Sequence, residues 1–254
     1  MGMIINPYMF NMSAGLLLID MVAHWDLSEA SGTRYDSHTN GFDLSVSGPS
    51  VGQASGVGAG QYAASFSSGN WLIRAHNALL NPEDEWFVCN FWANRNPSYG
   101  NSHNAPFVGK GDSFYTDAGT GWMVLSATGV DPGIDYMGVR NSADTGYVQL
   151  NTAADSVRGQ WYMFTFVHDP IADEIRYYRD GVLEDTQALS GGVYASTAQL
   201  ALNGFPGSAV SLSDMQALSI WKGAGAETAE AQISWLYNSG TAARLYADLV
   251  AYGG

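Results

Sequence analysis

Arg158-Gly-Gln-Trp-Tyr-Met-Phe-Thr-Phe-Val-His-Asp169, then Pro170-Ile-Ala-Asp173, then Glu174-Ile-Arg-Tyr-Tyr-Arg-Asp-Gly-Val-Leu-Glu-Asp-Thr186 decides the fold. Trp161 to His168 carries large apolar or aromatic side chains on both faces of an extended segment, which suits a strand buried between two layers. Ile175 to Arg179 mixes β-branched, aromatic and charged residues and reads as a strand with one wetter face. Asp180-Gly181 supplies the positive φ values of a tight hairpin turn. The stretch is a meander of strands at the centre of an all-β domain, and it holds no obvious chemistry.

Outward from it the same grammar repeats. Ala23, Trp25 and Leu27 alternate with polar partners, as do Phe42, Leu44 and Val46, and then Tyr62, Ala64 and Phe66. Trp86–Ala93 is a second strand apolar on both faces, entered through the turn Asn81-Pro82-Glu83-Asp84. Shorter strands are expected around Pro106–Gly109, Trp122–Ala127, Ile134–Val139, Tyr147–Leu150, Gln199–Asn203 and Gln216–Trp221. Helix is expected only near the end. Thr228 would cap a segment with Glu230, Ile233, Leu236 and Tyr237, stopped by Gly240, and a second helix would run from Ala242 to about Val250.

The bulk numbers agree with many short strands. Of 254 residues 46% are hydrophobic and only 13% charged, with 30 glycines, 14 tyrosines and 8 tryptophans. The formal charge is −14, and Lys110 and Lys222 are the only lysines, so the chain repels phosphate backbones and anionic membrane surfaces. We therefore expect neither nucleic acid nor membrane among its partners. Cys89, the single cysteine, lies in an apolar run and is expected to pack as a small hydrophobe. Leu16-Leu17-Leu18-Ile19 follows no basic residue and is cut by Asp20, so it does not read as a secretory signal. If the protein works outside a cell, release by lysis or within a particle is the expected route.

Taken in order, these segments resemble the laminin G-like group of the concanavalin A-like lectin/glucanase superfamily. The matching pieces are Val22–Asp36, Asn40-Gly-Phe-Asp-Leu44, Ala63–Phe66, Trp86–Trp92 and Phe107-Val-Gly-Lys-Gly111. Gly159-Gln-Trp-Tyr-Met-Phe-Thr-Phe with Arg176-Tyr-Tyr-Arg-Asp-Gly181, then Leu212–Trp221 and Ile233–Gly240, complete the order. The resemblance implies a two-sheet antiparallel jelly-roll sandwich over residues 22–240, with loop rims that bind glycans or proteins in relatives. Residues 1–21 are read as an N-terminal arm and 241–254 as a C-terminal helical tail. The resemblance also implies calcium as the one candidate ion, with Asp36 and Asp214 at positions where relatives carry an acid. The competing reading of both is a turn aspartate bonded to its own backbone.

Catalytic patterns are not found. Glu83-Asp84-Glu85 places Glu83 and Glu85 on one face just after a proline turn, and Glu174, Glu184 and Asp185 flank hairpin turns without the alternation a glycosidase needs. These read as turn and surface acids, and His24, His38, His76, His103 and His168 have no zinc spacing. Tyr99, Tyr115, Tyr136 and Tyr147 are the candidate aromatic faces for stacking on sugar.

Ile4-Ile5-Asn6-Pro7-Tyr8 is similar to the opening of many tailed-phage structural proteins. The leading functional reading is therefore a non-enzymatic virion protein of a bacteriophage, in capsid decoration or a tail fibre. It would be homo-oligomeric and bound to other virion proteins through residues 1–21 and the C-terminal tail, with a host-surface glycan as a further ligand. The alternative is a stand-alone carbohydrate-binding lectin or adhesin module, and a glycoside hydrolase or lyase comes third.

Overall fold

The computed structural model describes residues 15–48, 50–95, 105–111, 118–126, 135–152, 156–205 and 213–253. The chain begins there with a short helix, α1 (Gly15–Leu18), and a strand, β1 (Met21–Trp25). Four short strands follow: β2 (Ser45–Ser47), β3 (Gly52–Ser55), β4 (Tyr62–Ser65) and β5 (Trp71–Arg74). Next come β6 (Phe87–Arg95), β7 (Ala105–Lys110), β8 (Trp122–Ser126), β9 (Tyr136–Arg140) and β10 (Tyr147–Asn151). The central meander is β11 (Trp161–Asp169), β12 (Glu174–Arg179) and β13 (Val182–Ala188). After β14 (Leu200–Leu202) and the long β15 (Ser213–Lys222), the helices α2 (Ala224–Ala231), α3 (Ile233–Tyr237) and α4 (Tyr246–Gly253) finish the chain.

Two antiparallel sheets form a jelly-roll sandwich, as the resemblance implies. One runs β13-β12-β11-β6-β15-β4-β3, with β1 also paired to β15, and the other β10-β9-β8-β7-β14-β5-β2. The central hairpin forms as read. Asp180 (φ 52°) and Gly181 (φ 79°) turn the chain, and the Asp180 carboxylate accepts from the Met163 backbone N–H at 2.8 Å, tying the turn to β11.

Both faces of β11 are buried because each meets a different layer. Phe164 and Phe166 point between the sheets, with Trp25, Phe87, Phe91, Phe107, Trp122 and Tyr177. Phe164 stacks on Phe107 at 5.4 Å and on Tyr177 at 6.2 Å. Met163 and Val167 point the other way, with Val88, Trp92, Ala217 and Trp221, under the helices. Burial of each such side chain stabilises by roughly 1.5–3 kcal/mol relative to exposure. Cys89 is fully buried in the inner cluster, and burial pushes its thiol well above the ordinary range.

Both ends of the described chain pack on this outer face. Leu17, Ala243 and Leu249 are buried with Trp221, and the Leu17 carbonyl accepts the Trp221 indole N–H at 2.7 Å. Residues 1–14 of the expected arm lie outside the described residues.

The start of the first C-terminal helix differs from the expectation. The chain turns from β15 through Gly223 (φ 99°) straight into α2, so Thr228 lies inside the helix and does not cap it. The cap comes from elsewhere: the Asp20 carboxylate accepts the Gly225 backbone N–H at 2.9 Å. Ile19 also runs so close that a Cβ on Gly225 would lie 2.0 Å from its carbonyl oxygen. A break at Gln232 then separates α2 from α3, and the last helix spans Tyr246–Gly253, later than the expected 242–250.

Candidate functional site

The residues singled out in sequence do not assemble into one site. Asp36 organises its own loop: one carboxylate oxygen accepts from the backbone N–H of His24 (3.0 Å) and His38 (2.9 Å), the other from Phe42 (2.9 Å). Asp214 lies on β15, where burial lifts its carboxyl above the usual range against a hydrogen bond with Ser65. Among the described residues no three His, Cys, Asp or Glu side chains group as metal ligands. Tyr136 and Tyr147 sit at opposite ends of the β9–β10 pair, since Tyr136 faces Asn151 and Tyr147 faces Arg140. Tyr99, Tyr115 and His103 lie outside the described residues.

The acids and histidines are mostly structural. Glu83 and Glu85 share Lys222, at 3.4 and 3.0 Å. His168 is buried at the end of β11 with Nδ1 on the Glu85 carbonyl at 2.7 Å. The fold does join one Ser-His-Asp chain that no linear spacing could reveal. His24 contacts Ser219 Oγ at 2.7 Å and Asp26 at 2.8 Å, from strands paired across the sheet. Ser219 is only 2% exposed, however, and the Tyr246 ring of α4 lies 5.7 Å from the His24 ring. Asp26 also accepts the Tyr246 backbone N–H at 2.8 Å, so this chain fastens α4 to the sheet.

An open cleft of about 600 Å³ lies on the same outer face, between α2 and the β11–β12 turn. Its walls are Trp86 before β6, Asp169, Ile171 and Ala172 at the turn, Arg176 and Tyr178 on β12, and Glu227 and Glu230 on α2. The alternation of β12 sets its floor. Ile175, Tyr177 and Arg179 turn inward and are buried, so Glu174, Arg176 and Tyr178 face out toward the helix.

Arg176 is the hub. Nη1 donates to both oxygens of Glu230 at 2.7 and 2.8 Å, Nε to Glu174 at 3.3 Å, and Nη2 to Asp169. Tyr178 OH donates to Glu230 at 2.6 Å. Burial of the guanidinium opposes its charge, but Glu230 and Asp169 outweigh that and raise its pKa further. Burial would raise the Asp169 carboxyl, yet the backbone N–H groups of Ala172 and Ile171, with Arg176, hold it below the ordinary range. Desolvation, then Glu230, pushes the Tyr178 phenol up, so it stays protonated.

The result is a preset polar floor between an aromatic wall, Trp86, and an apolar rim, Ile171, which is 81% exposed. Such an arrangement can hold the apolar face of a ring against Trp86 and accept hydrogen bonds from hydroxyls on carboxylate oxygens. Motif spacing does not find these residues because they come from four separate segments. The out-facing period of Glu174, Arg176 and Tyr178 is the one local signal they leave.

No protein-family model matches the chain, and no curated protein matches it in sequence. Solved structures do. The binding domain of Paraclostridial mosquitocidal protein 1 aligns with a TM-score of 0.65 at 15% identity, over 88% of this chain and 53% of that one. Domain 4 of an extracellular GH43 arabinanase from Geobacillus stearothermophilus, in complex with arabinotriose, aligns with a TM-score of 0.59 at 18% identity, over 86% and 98%. The binding domain of botulinum neurotoxin DC in complex with SialylT aligns with a TM-score of 0.59 at 14% identity, over 88% and 52%. The chain thus spans about half the length of the toxin binding domains and nearly all of the arabinanase domain. These likenesses show a shared β-sandwich fold.

Proposed function

We propose that the chain is a non-enzymatic, lectin-like carbohydrate-binding module of laminin G-like type, with its sugar site in the cleft between α2 and the β11–β12 turn. The observation that carries this is the cleft itself: an aromatic wall and an exposed aliphatic rim flank a floor of carboxylates held rigid by Arg176. That combination matches a sugar, whose ring has an apolar face and a hydroxyl edge. Two of the structural neighbours were solved with a saccharide-named ligand, arabinotriose and SialylT, which supports the lectin reading over the virion one.

The virion role, homo-oligomerisation and binding to other virion proteins rested on the phage-like opening and the two chain ends. The comparisons do not support them. Among the described residues no helix is long and apolar enough to cross a membrane.

Absence of catalysis is part of the proposal. A glycosidase needs one carboxyl kept protonated at working pH. Here Asp169 is held in the opposite direction, and both it and Glu230 are committed to Arg176.

Glycan-array screening followed by titration calorimetry tests the reading. At least one glycan should bind and raise the melting temperature. Trp86→Ala should weaken that binding about tenfold or more, the loss expected of an aromatic anchor, while the domain stays folded. Binding that survives Trp86→Ala and Tyr178→Phe unchanged would move the site elsewhere. Silence across the array would reject the function.

A further inference from the structure

Beyond its shape, the cleft carries a pattern of charge. Three carboxylates, Asp169, Glu174 and Glu230, pair with the guanidinium of Arg176, and a fourth, Glu227, lines the same cleft. Arg176 donates from Nε, Nη1 and Nη2 to three of them, leaving no fork for a ligand anion. Lys222 is the cation beside the Trp86 wall, because the Trp86 carbonyl accepts the Gly223 backbone N–H at 2.8 Å. Its ammonium is held by Glu83 and Glu85 and serves them instead. Glu227 is exposed on the α2 wall and makes no hydrogen bond or ion pair among the described residues.

Given that the cleft is a sugar site, we infer that it reads the charge of its sugar: it admits neutral glycans, favours one bearing a free amino group, and turns away sialylated, uronic or sulfated chains. Recognition of a carboxylate or sulfate requires an uncommitted Arg or Lys, or a row of backbone N–H groups. The walls of this cleft offer a surplus of acceptors instead. A sugar hydroxyl can donate to the carboxylate oxygens, and an ammonium can do so with its charge as well. A protonated amine between Glu227 and Trp86 would also meet the negative face of the indole ring. An anionic sugar would lose hydration to enter a field of its own sign. The chain's formal charge of −14 adds repulsion at longer range, which salt screens beyond about 8 Å.

The full chain is assayed in chelator-treated buffer on an array holding neutral, amino-bearing and acidic glycans. Matched pairs, with a free and an N-acetylated amine on the same core, are then titrated at about 50 mM and about 300 mM salt. The free amine should bind about fivefold tighter than its acetylated partner at low salt, one close charge pair in water being of that order. The gap should shrink at high salt, and acidic chains should be silent at both. Glu227→Gln should narrow the amine preference with the melting temperature unchanged. Acidic glycans that bind as tightly as neutral ones, and are lost in Trp86→Ala, would overturn the inference and leave the lectin reading standing. So would matched pairs that bind equally at both salts. Failure of every class to bind would reject both.

Discussion

The two faces of the eight-stranded sheet are closed in different ways. The inner face meets a second sheet, and large aromatics span the gap: Phe164 alone touches Phe91, Phe107, Tyr162 and Tyr177. The outer face meets short helices that supply small residues, Ala226 and Ala229, with Ile233 and Leu236. It also carries buried polar pairs, among them Asn90 on Thr165 at 2.7 Å and the Ser219–His24–Asp26 chain. A sheet covers another sheet from edge to edge. Short helices cannot, and where α2 ends the outer face is left with a cleft and an ion-paired floor. One face holds the fold together, and the other is where the proposed site lies.

Four changes break or sharpen that contrast, and the first should cost most. Phe164→Ala should destabilise by about 3–5 kcal/mol, since it opens a cavity in a close-packed aromatic cluster, as read by urea unfolding. Arg176→Met on the outer face should cost about 2 kcal/mol, because Asp169 and Glu230 lose their shared counter-ion in a partly solvated place. Equal losses at the two sites would erase the distinction between a close-packed face and one with an open cleft.

The third change is acidification. Burial lowers the pKa of His168, against the Glu85 carbonyl and nearby acids, and of His38, against Asp36 and with His24. The unfolded chain therefore binds these protons more readily, so stability should fall as pH drops below about 6.5 toward the lower folded values. Thermal melts from pH 8 to 5 should show the decline, and His38→Gln should flatten part of it. Asp26 and Asp169, held low in the fold, add a separate loss only below the ordinary carboxylate range. Ile171→Ser should show the smallest effect on stability, within about 0.5 kcal/mol for an exposed residue, while still weakening sugar binding by calorimetry.

Much of the sandwich was legible because its signals are local. Trp161–His168 reads as apolar on both faces, and the structure buries both; Asp180-Gly181 reads as a turn, and both residues have positive φ. The start of α2 was not legible. Thr228 looks like a cap in sequence, but the working cap is Asp20, 205 residues away from Gly225. The Ser219–His24 contact, at a separation of 195 residues, was hidden for the same reason.

Alternation and turn chemistry act between neighbours, so the sequence by itself determined many short strands and the out-facing row of Glu174, Arg176 and Tyr178. Which partner that row would meet depended on where β15 delivers α2. Only the folded chain brings Glu230 within 2.7 Å of Arg176, across 54 residues, and sets Trp86 on the opposite wall. A strand face is a local property of the backbone. A cleft is the space left between elements, and it exists only once they have packed.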